Sequence, residues 1–369
     1  GDVYKRQMYM YRSVFILFAL TIISCNDFEN IEVDLSNSLI IPKKYTINYS
    51  ESEINIDGRD DESQWKKAKE TSEFIDISNN VKPLQKTYMK MLWDEDNLYI
   101  YVRLYEKHIW GDITERDAVI FKNNDFEVFV KPTHVTNYYG ELEINALGTV
   151  WDLLLDKPYR LGGKANTKWN INNLKSDVFI SGTINNPTDE DNYWSCEISI
   201  PLNEILKING PNYENVKSGD IWRANFSRVQ WEHDLTDGKY SRKKENNKLK
   251  REYNWVWTRQ GQINMHIPEN WGFIYFNDKK ELNKKFDLKI DIKTEQYAYA
   301  IFEKIKYKEL KYLNDKSIGK KITFNSSYLK TNNISAEFIK TNDGFLIKCI
   351  NQIDDLIYTI NQEGIIKYE

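Results

Sequence analysis

Between Asn123 and Leu153 the chain alternates polar and apolar positions with a period of two. Asp125, Glu127 and Phe129 fall on one face of a first segment, and Phe126, Val128 and Val130 on the other. In a second segment Glu141, Glu143, Asn145 and Leu147 alternate with Leu142, Ile144 and Ala146. This is the pattern of half-buried strands. If the two pair, four carboxylates and an amide share one patch, with Trp151 just beyond. Such a patch needs a partner: a cation, bound hydroxyls, or neighbouring Arg and Lys.

The same reading predicts strands at Thr87–Trp93, Leu98–Tyr105, Val178–Asn185, Tyr193–Ile200, Ile221–Val229 and Trp271–Phe276. Ile54–Gly58 reads as a further strand running into a turn, and 60–68 as a short helical turn that docks Trp65. Many short strands with frequent turns predict a mainly β fold, an antiparallel β-sandwich, over 45–278. Loops at 106–121, 154–176 and 232–262 are long enough to carry binding. The last loop is basic, with Lys239–Lys244 and Lys248–Arg251, and reads as a solvated hairpin tip. After a charged linker at 279–293, the spacing predicts a helix over 294–313 and short strands from 322 to 368, so 279–369 is a small α+β C-terminal extension.

The N-terminus follows a different logic. Gly1–Gln7 has no place in a fold and reads as non-native upstream sequence. Residues 8–24 carry Arg12 and a ten-residue apolar run, Val14–Ile23, too short to span a bilayer. The run ends in Ile22-Ile23-Ser24-Cys25, which predicts a lipoprotein signal peptide with Cys25 as the lipidated residue. Residues 25–44 then form a polar tether. The expected location is the cell envelope, with the protein lipid-anchored to a membrane, the outer one by preference.

Composition narrows the function. A formal charge of -4 argues against general nucleic-acid binding. Aromatics make up 14% of the chain, with 24 Tyr and 11 Trp, a supply of stacking faces. Four histidines and three cysteines stand at no metal-ligand spacing, and the sequence contains no nucleophile elbow, phosphate loop or dinucleotide fingerprint. Aromatic faces together with planar polar side chains suit sugars. Trp110, Arg116, Phe121, Tyr138, Tyr139, Trp151, Trp255 and Trp257 lie in or beside loops. A calcium ion near Asp125 and Glu141 is a candidate cofactor. The catalytic alternative is a glycoside hydrolase using Asp125, Glu127, Glu141 and Glu143.

Several motifs together point to a family: Ile56-Asp-Gly58 with Trp65, Met91-Leu-Trp93-Asp94, Leu98-Tyr-Ile100, Asp125-Phe-Glu127-Val-Phe129, Trp222-Arg-Ala-Asn225-Phe226 and Trp257. Thr114-Glu-Arg-Asp117, Glu141–Ala146, Thr149–Leu153, Ile263-Asn-Met-His266 and Pro268-Glu-Asn-Trp271-Gly272 add to them. Over about residues 50–276 the chain resembles carbohydrate-binding module family 9, and most closely its family 9-like lipoproteins from Bacteroidetes-type bacteria. The resemblance implies a sandwich that binds oligo- or polysaccharide without cleaving it, in carbohydrate catabolism, often beside glycoside hydrolases. It places the family's two stacking positions at Phe121 and Met265, an acidic residue at Glu127 and an amide at Asn145. Glu143 stands where the family has an Arg. Trp110, Trp255 and Trp257 are candidate substitute faces. Similar sandwiches also hold haem, for which Met265 and His266 would be the axial ligands.

Overall fold

A computed structural model describes residues 29–132, 137–278 and 290–368. The upstream stretch, the signal-type run, Cys25 and most of the 279–293 linker lie outside the described residues.

The predicted alternation produces a mostly β chain, and its largest sheet has 13 strands. Its main path runs Lys175–Ser181, Tyr193–Pro201, Asn97–Tyr105, Thr87–Trp93, Lys44–Tyr49, Gly272–Asn277, Ile221–Gln230, Asp125–Lys131, Tyr139–Asn145, Val150–Leu155 and Ala165–Asn166. This sheet folds over on itself. Met89, Ile100, Val102 and Trp194 from one half meet Phe126, Ile144, Trp222 and Phe226 from the other in one core, as a sandwich requires. The inward rows are the apolar faces read from the sequence, so the acidic face of the Asp125 and Tyr139 strands points outward.

Two elements differ from expectation near the fold's start. Ile54–Gly58 is not a strand. It lies outside the sheet, with Ile54 buried beside Trp65 and Tyr99. The strand that joins the two halves is instead Lys44–Tyr49, which runs parallel to both Gly272–Asn277 and Thr87–Trp93 in an otherwise antiparallel path. Only Tyr45 and Ile47 of that strand belong to the core, too short a pattern to stand out in the sequence. The docking turn is present as Trp65–Lys67, with the Trp65 indole N–H donating to Glu197 Oε1 at 2.8 Å.

The region expected to be a tether is structured. Glu29–Glu32 pairs in parallel with Lys321–Asn325, and Val33 and Leu35 are buried in the C-terminal core. Glu29–Glu32 is thus an edge of a six-stranded sheet completed by Lys321–Asn325, Ile334–Thr341, Gly344–Asn351, Ile357–Asn361 and Ile366–Tyr368. A helix over Ile292–Tyr307 packs on this sheet through Tyr297, Ile301, Phe302 and Ile305. Asp291 caps it by accepting the N–H groups of Lys293 and Thr294. The predicted helix overran this end; a 3-10 turn at Lys311–Asp315 follows it. The chain therefore contributes to the second unit both before and after it builds the sandwich.

Polar contacts hold the two units together. Arg223, from the sandwich, pairs with Glu295 of the helix, and both are fully buried. Arg160 bridges Glu269 and Glu303 at 2.5 and 2.6 Å. The Ile40 N–H donates to Gln296 Oε1 at 2.6 Å.

Candidate functional site

Cross-strand register assembles the site. Glu127 stands opposite Glu143, and Glu143 opposite Trp151, in one row across three strands. On the same face Asp125 is opposite Asn145, and Glu141 lies between Phe129 and Leu153. Directly opposed side chains sit about 5 Å apart at Cβ, so the acids crowd one another. The segments 251–254 and 263–266, together with Tyr159, roof this face and leave a cavity of about 460 Å³. Its walls include Phe121, Glu127, Glu141, Glu143, Trp151 and Met265.

The aromatic wall is held from behind. Phe121 sits in a 3-10 turn at Ile120–Lys122. Its N–H donates to Glu143 Oε2 at 2.9 Å, and its carbonyl accepts the Trp231 indole N–H at 2.8 Å. With the backbone fixed on both sides, the ring stays 41% exposed and lies near-parallel to Trp151, centroids 6.5 Å apart and planes at 26°. The Trp151 indole N–H has no hydrogen-bond partner.

The floor is electrostatically unusual. Asp125, Glu127, Glu141 and Glu143 are all buried, and among the described residues none forms an ion pair with Lys or Arg. Burial raises the Glu127 carboxyl to about 7. Burial, followed by the neighbouring carboxylates, pushes Asp125, Glu141 and Glu143 well above the ordinary range. Asp125 Oδ2 and Glu141 Oε2 are buried without a hydrogen-bond partner, and the Ser227 hydroxyl lies against the Glu127 carboxyl.

Of the residues singled out from the sequence, Phe121, Glu127, Glu143, Trp151 and Met265 surround this one cavity. Four do not. Asn145 is spent on a turn: its Oδ1 accepts the Leu147 and Thr149 N–H groups, and its Nδ2 donates to the Ile113 carbonyl. Trp257 is a core residue packed on Phe226 and Gly272. Arg116 turns away to Asp152, which faces opposite to Trp151 along its strand. Trp110 stacks on Tyr240 with centroids 6.2 Å apart, in a separate aromatic cluster with Trp231. The candidate substitute face Trp255 is also core. Asp125 and Glu141 do not share the closest acidic group, which is Asp125, Glu127 and Glu143, with one oxygen of each within 4.8 Å of the others. His266 is boxed by Phe129, Tyr139 and Tyr159, and its Nδ1 lies 2.8 Å from the Tyr139 hydroxyl, which makes it a packing residue.

Tyr159, Arg251, Glu252 and Asn254 were missed as wall residues. Arg251 and Glu252 lead into the strand Tyr253–Val256, which carries Asn254 and pairs with Ile221–Gln230 and with Ile75–Asp76, while Tyr159 opens a 3-10 turn at Tyr159–Leu161; no local pattern encodes these approaches. The Ile263–His266 motif was the available signal for the remaining wall.

Residues 56–151 match the family described as carbohydrate family 9 binding domain-like. The resemblance carried by the sequence motifs therefore holds over that stretch, which contains Phe121, Glu127, Glu143 and Trp151. Met265 and the roof of the cavity lie beyond it. In fold the chain is similar to a candidate carbohydrate-binding protein from Bacteroides uniformis, at 13% identity and a TM-score of 0.47, over 64% of this chain and 99% of that one. A family 9 carbohydrate-binding module from Caldicellulosiruptor kristjanssonii, solved with cellotriose and with glucose, matches at 12% identity and a TM-score of 0.41, over 67% and 100%. No curated protein matches the chain.

Proposed function

We propose that the family 9-like domain binds carbohydrate, without cleaving it, in the cavity over the Asp125 and Tyr139 strands. The observation that carries this reading is the pairing of Phe121 with Trp151 beside a row of buried carboxylates. An aromatic face takes the apolar side of a pyranose, while carboxylate oxygens accept its hydroxyls. The family match adds to it. A glycosidase needs one carboxyl raised and a partner left ionised. Here burial moves all four in the same direction, which favours binding over hydrolysis.

The finer reading is a lipid-anchored cell-envelope protein, modified at Cys25, that captures glycans for catabolism alongside glycoside hydrolases. It rests on the sequence around Cys25. No helix among the described residues is long and apolar enough to cross a membrane.

A glycan array followed by calorimetry on the wild type and Phe121→Ala tests the binding. A bound oligosaccharide whose affinity falls at least tenfold in the variant supports this cavity; unchanged affinity removes it. Palmitate labelling that disappears in Cys25→Ser tests the anchor.

A further inference from the structure

Three carboxylates, from Asp125, Glu127 and Glu143, place one oxygen each within 4.8 Å of the others. Oxygens on a single calcium shell, at 2.3–2.6 Å from the ion, are at most about 5 Å apart. The trio therefore fits one such shell. A second observation points the same way. Ser227 stands opposite Glu127 in the neighbouring strand, on the same face, and is fully buried with its hydroxyl against the Glu127 carboxyl. Asp125 Oδ2 and Glu141 Oε2 are buried and orphaned, although Asp125 Oδ1 accepts the Val229 N–H at 3.3 Å. Buried polar atoms are nearly always satisfied, and an acceptor-rich pocket lacking a countercharge is completed by a cation.

The donor set is all oxygen, which selects a hard ion over zinc or copper. The backbone preforms the site. Glu143 is steered by the Phe121 N–H, and Asp125 by that of Val229, so two of the three ligands are fixed before any ion arrives. Glu127 and Glu143 also line the open cavity, so the ion's outer side faces the space where Phe121 and Trp151 stand.

We infer that Asp125, Glu127 and Glu143, with Ser227 as a fourth donor, bind one divalent cation of calcium's size, and that vicinal hydroxyls of the sugar complete its coordination shell. The second half of this inference rests on the proposed carbohydrate binding; the first half does not.

The test uses the full chain, stripped with EDTA. Calcium is expected to bind with a stoichiometry of one and to raise the melting temperature by several degrees. Terbium in its place is expected to show emission sensitised by Trp151, displaced by calcium but not by sodium. Glu143→Gln is expected to lose both responses while remaining folded in EDTA, since it removes a like charge; Asp125→Asn serves as an independent second variant. Trp151→Phe is expected to keep the calcium-induced melting shift and lose most of the terbium emission. A wild type whose melting and calorimetry ignore millimolar calcium overturns the cation site, as does a full calcium response in both carboxamide variants. Sugar titrations with calcium and with EDTA separate the two readings. Sugar binding lost in EDTA and restored by calcium supports the bridge. Sugar binding indifferent to EDTA in a protein that binds calcium overturns the bridge alone. Sugar binding without any calcium response overturns the cation site and leaves the proposed function standing.

Discussion

Glu127 and Glu143 face each other directly across the strand pair, both buried, with no basic side chain between them. Like charges opposed in this way destabilise a sheet, so the fold carries a local cost at this point in the absence of a countercharge. In EDTA at pH 7.5, Glu143→Gln is expected to be more stable than the wild type by on the order of 1–2 kcal/mol. Its Oε1 can still accept the Phe121 N–H, so the aromatic wall is preserved. Urea denaturation of the two proteins measures the difference, and a less stable variant would mean that the carboxylate is compensated by a group other than a removable ion.

The aromatic residues separate into two kinds, and mutation should tell them apart. Phe121→Ala and Trp151→Ala are each expected to weaken oligosaccharide binding by at least tenfold, about 1.4 kcal/mol, with a smaller effect on stability at the exposed Phe121. Trp257→Ala is expected to cost about 3–5 kcal/mol of stability, because it empties a core position against Phe226. Calorimetry and denaturation together decide. A Trp257→Ala protein that stays folded, fully stable and unable to bind sugar would return that residue to the site.

The sandwich was legible because its inner rows, such as Phe126-Val128-Val130 and Leu142-Ile144, alternate cleanly. Phe121, Glu127 and Glu143 were legible because family motifs fix their order and the strand period fixes their face. Asn145 was misplaced for the opposite reason. It has the face and the motif of a ligand residue, but it ends its strand, where the turn at 145–149 takes up both of its polar atoms. Trp257 looked available because it follows a basic loop, and only its packing against Gly272 reveals it as core. The 29–41 segment read as a tether because its polar residues outnumber Ile31, Val33 and Leu35. Those few apolar side chains find partners almost 300 residues later, and no local pattern announces such a contact.

That long-range closure makes the join between the units a test in itself. Arg223 donates to the Glu269 and Trp271 carbonyls at 3.0 and 3.1 Å as well as pairing with Glu295. Removing it strands a buried carboxylate. Arg223→Met is expected to destabilise by about 3–5 kcal/mol, and Arg223→Met with Glu295→Leu to recover a large part of that loss. Denaturation gives the magnitude. Protease sensitivity that rises in the single variant and is reversed in the double would tie the effect to this interface.

A final prediction concerns acid. Burial pushes the His266 imidazole from 6.5 down to about 4. Its folded form therefore binds fewer protons than its unfolded form between those values. Stability contributed by the neutral ring is present above pH 6.5 and is lost as pH falls toward 4. The groups facing it are the Tyr139 hydroxyl and the ring of Tyr159, and the cavity also holds Glu127, Glu141 and Glu143. Those carboxyls titrate with the opposite sign: their raised values make the folded form bind more protons, so their contribution falls as pH rises. A comparison with His266→Gln cancels much of this shared background. The wild type's stability advantage over His266→Gln is expected to shrink between pH 6.5 and pH 4 by on the order of 2 kcal/mol, after allowing for partial exposure of the ring. Urea melts at pH 4.5 and pH 7 measure it. A difference that stays constant across that range would place the imidazole in solvent and open the roof of the cavity at 263–266.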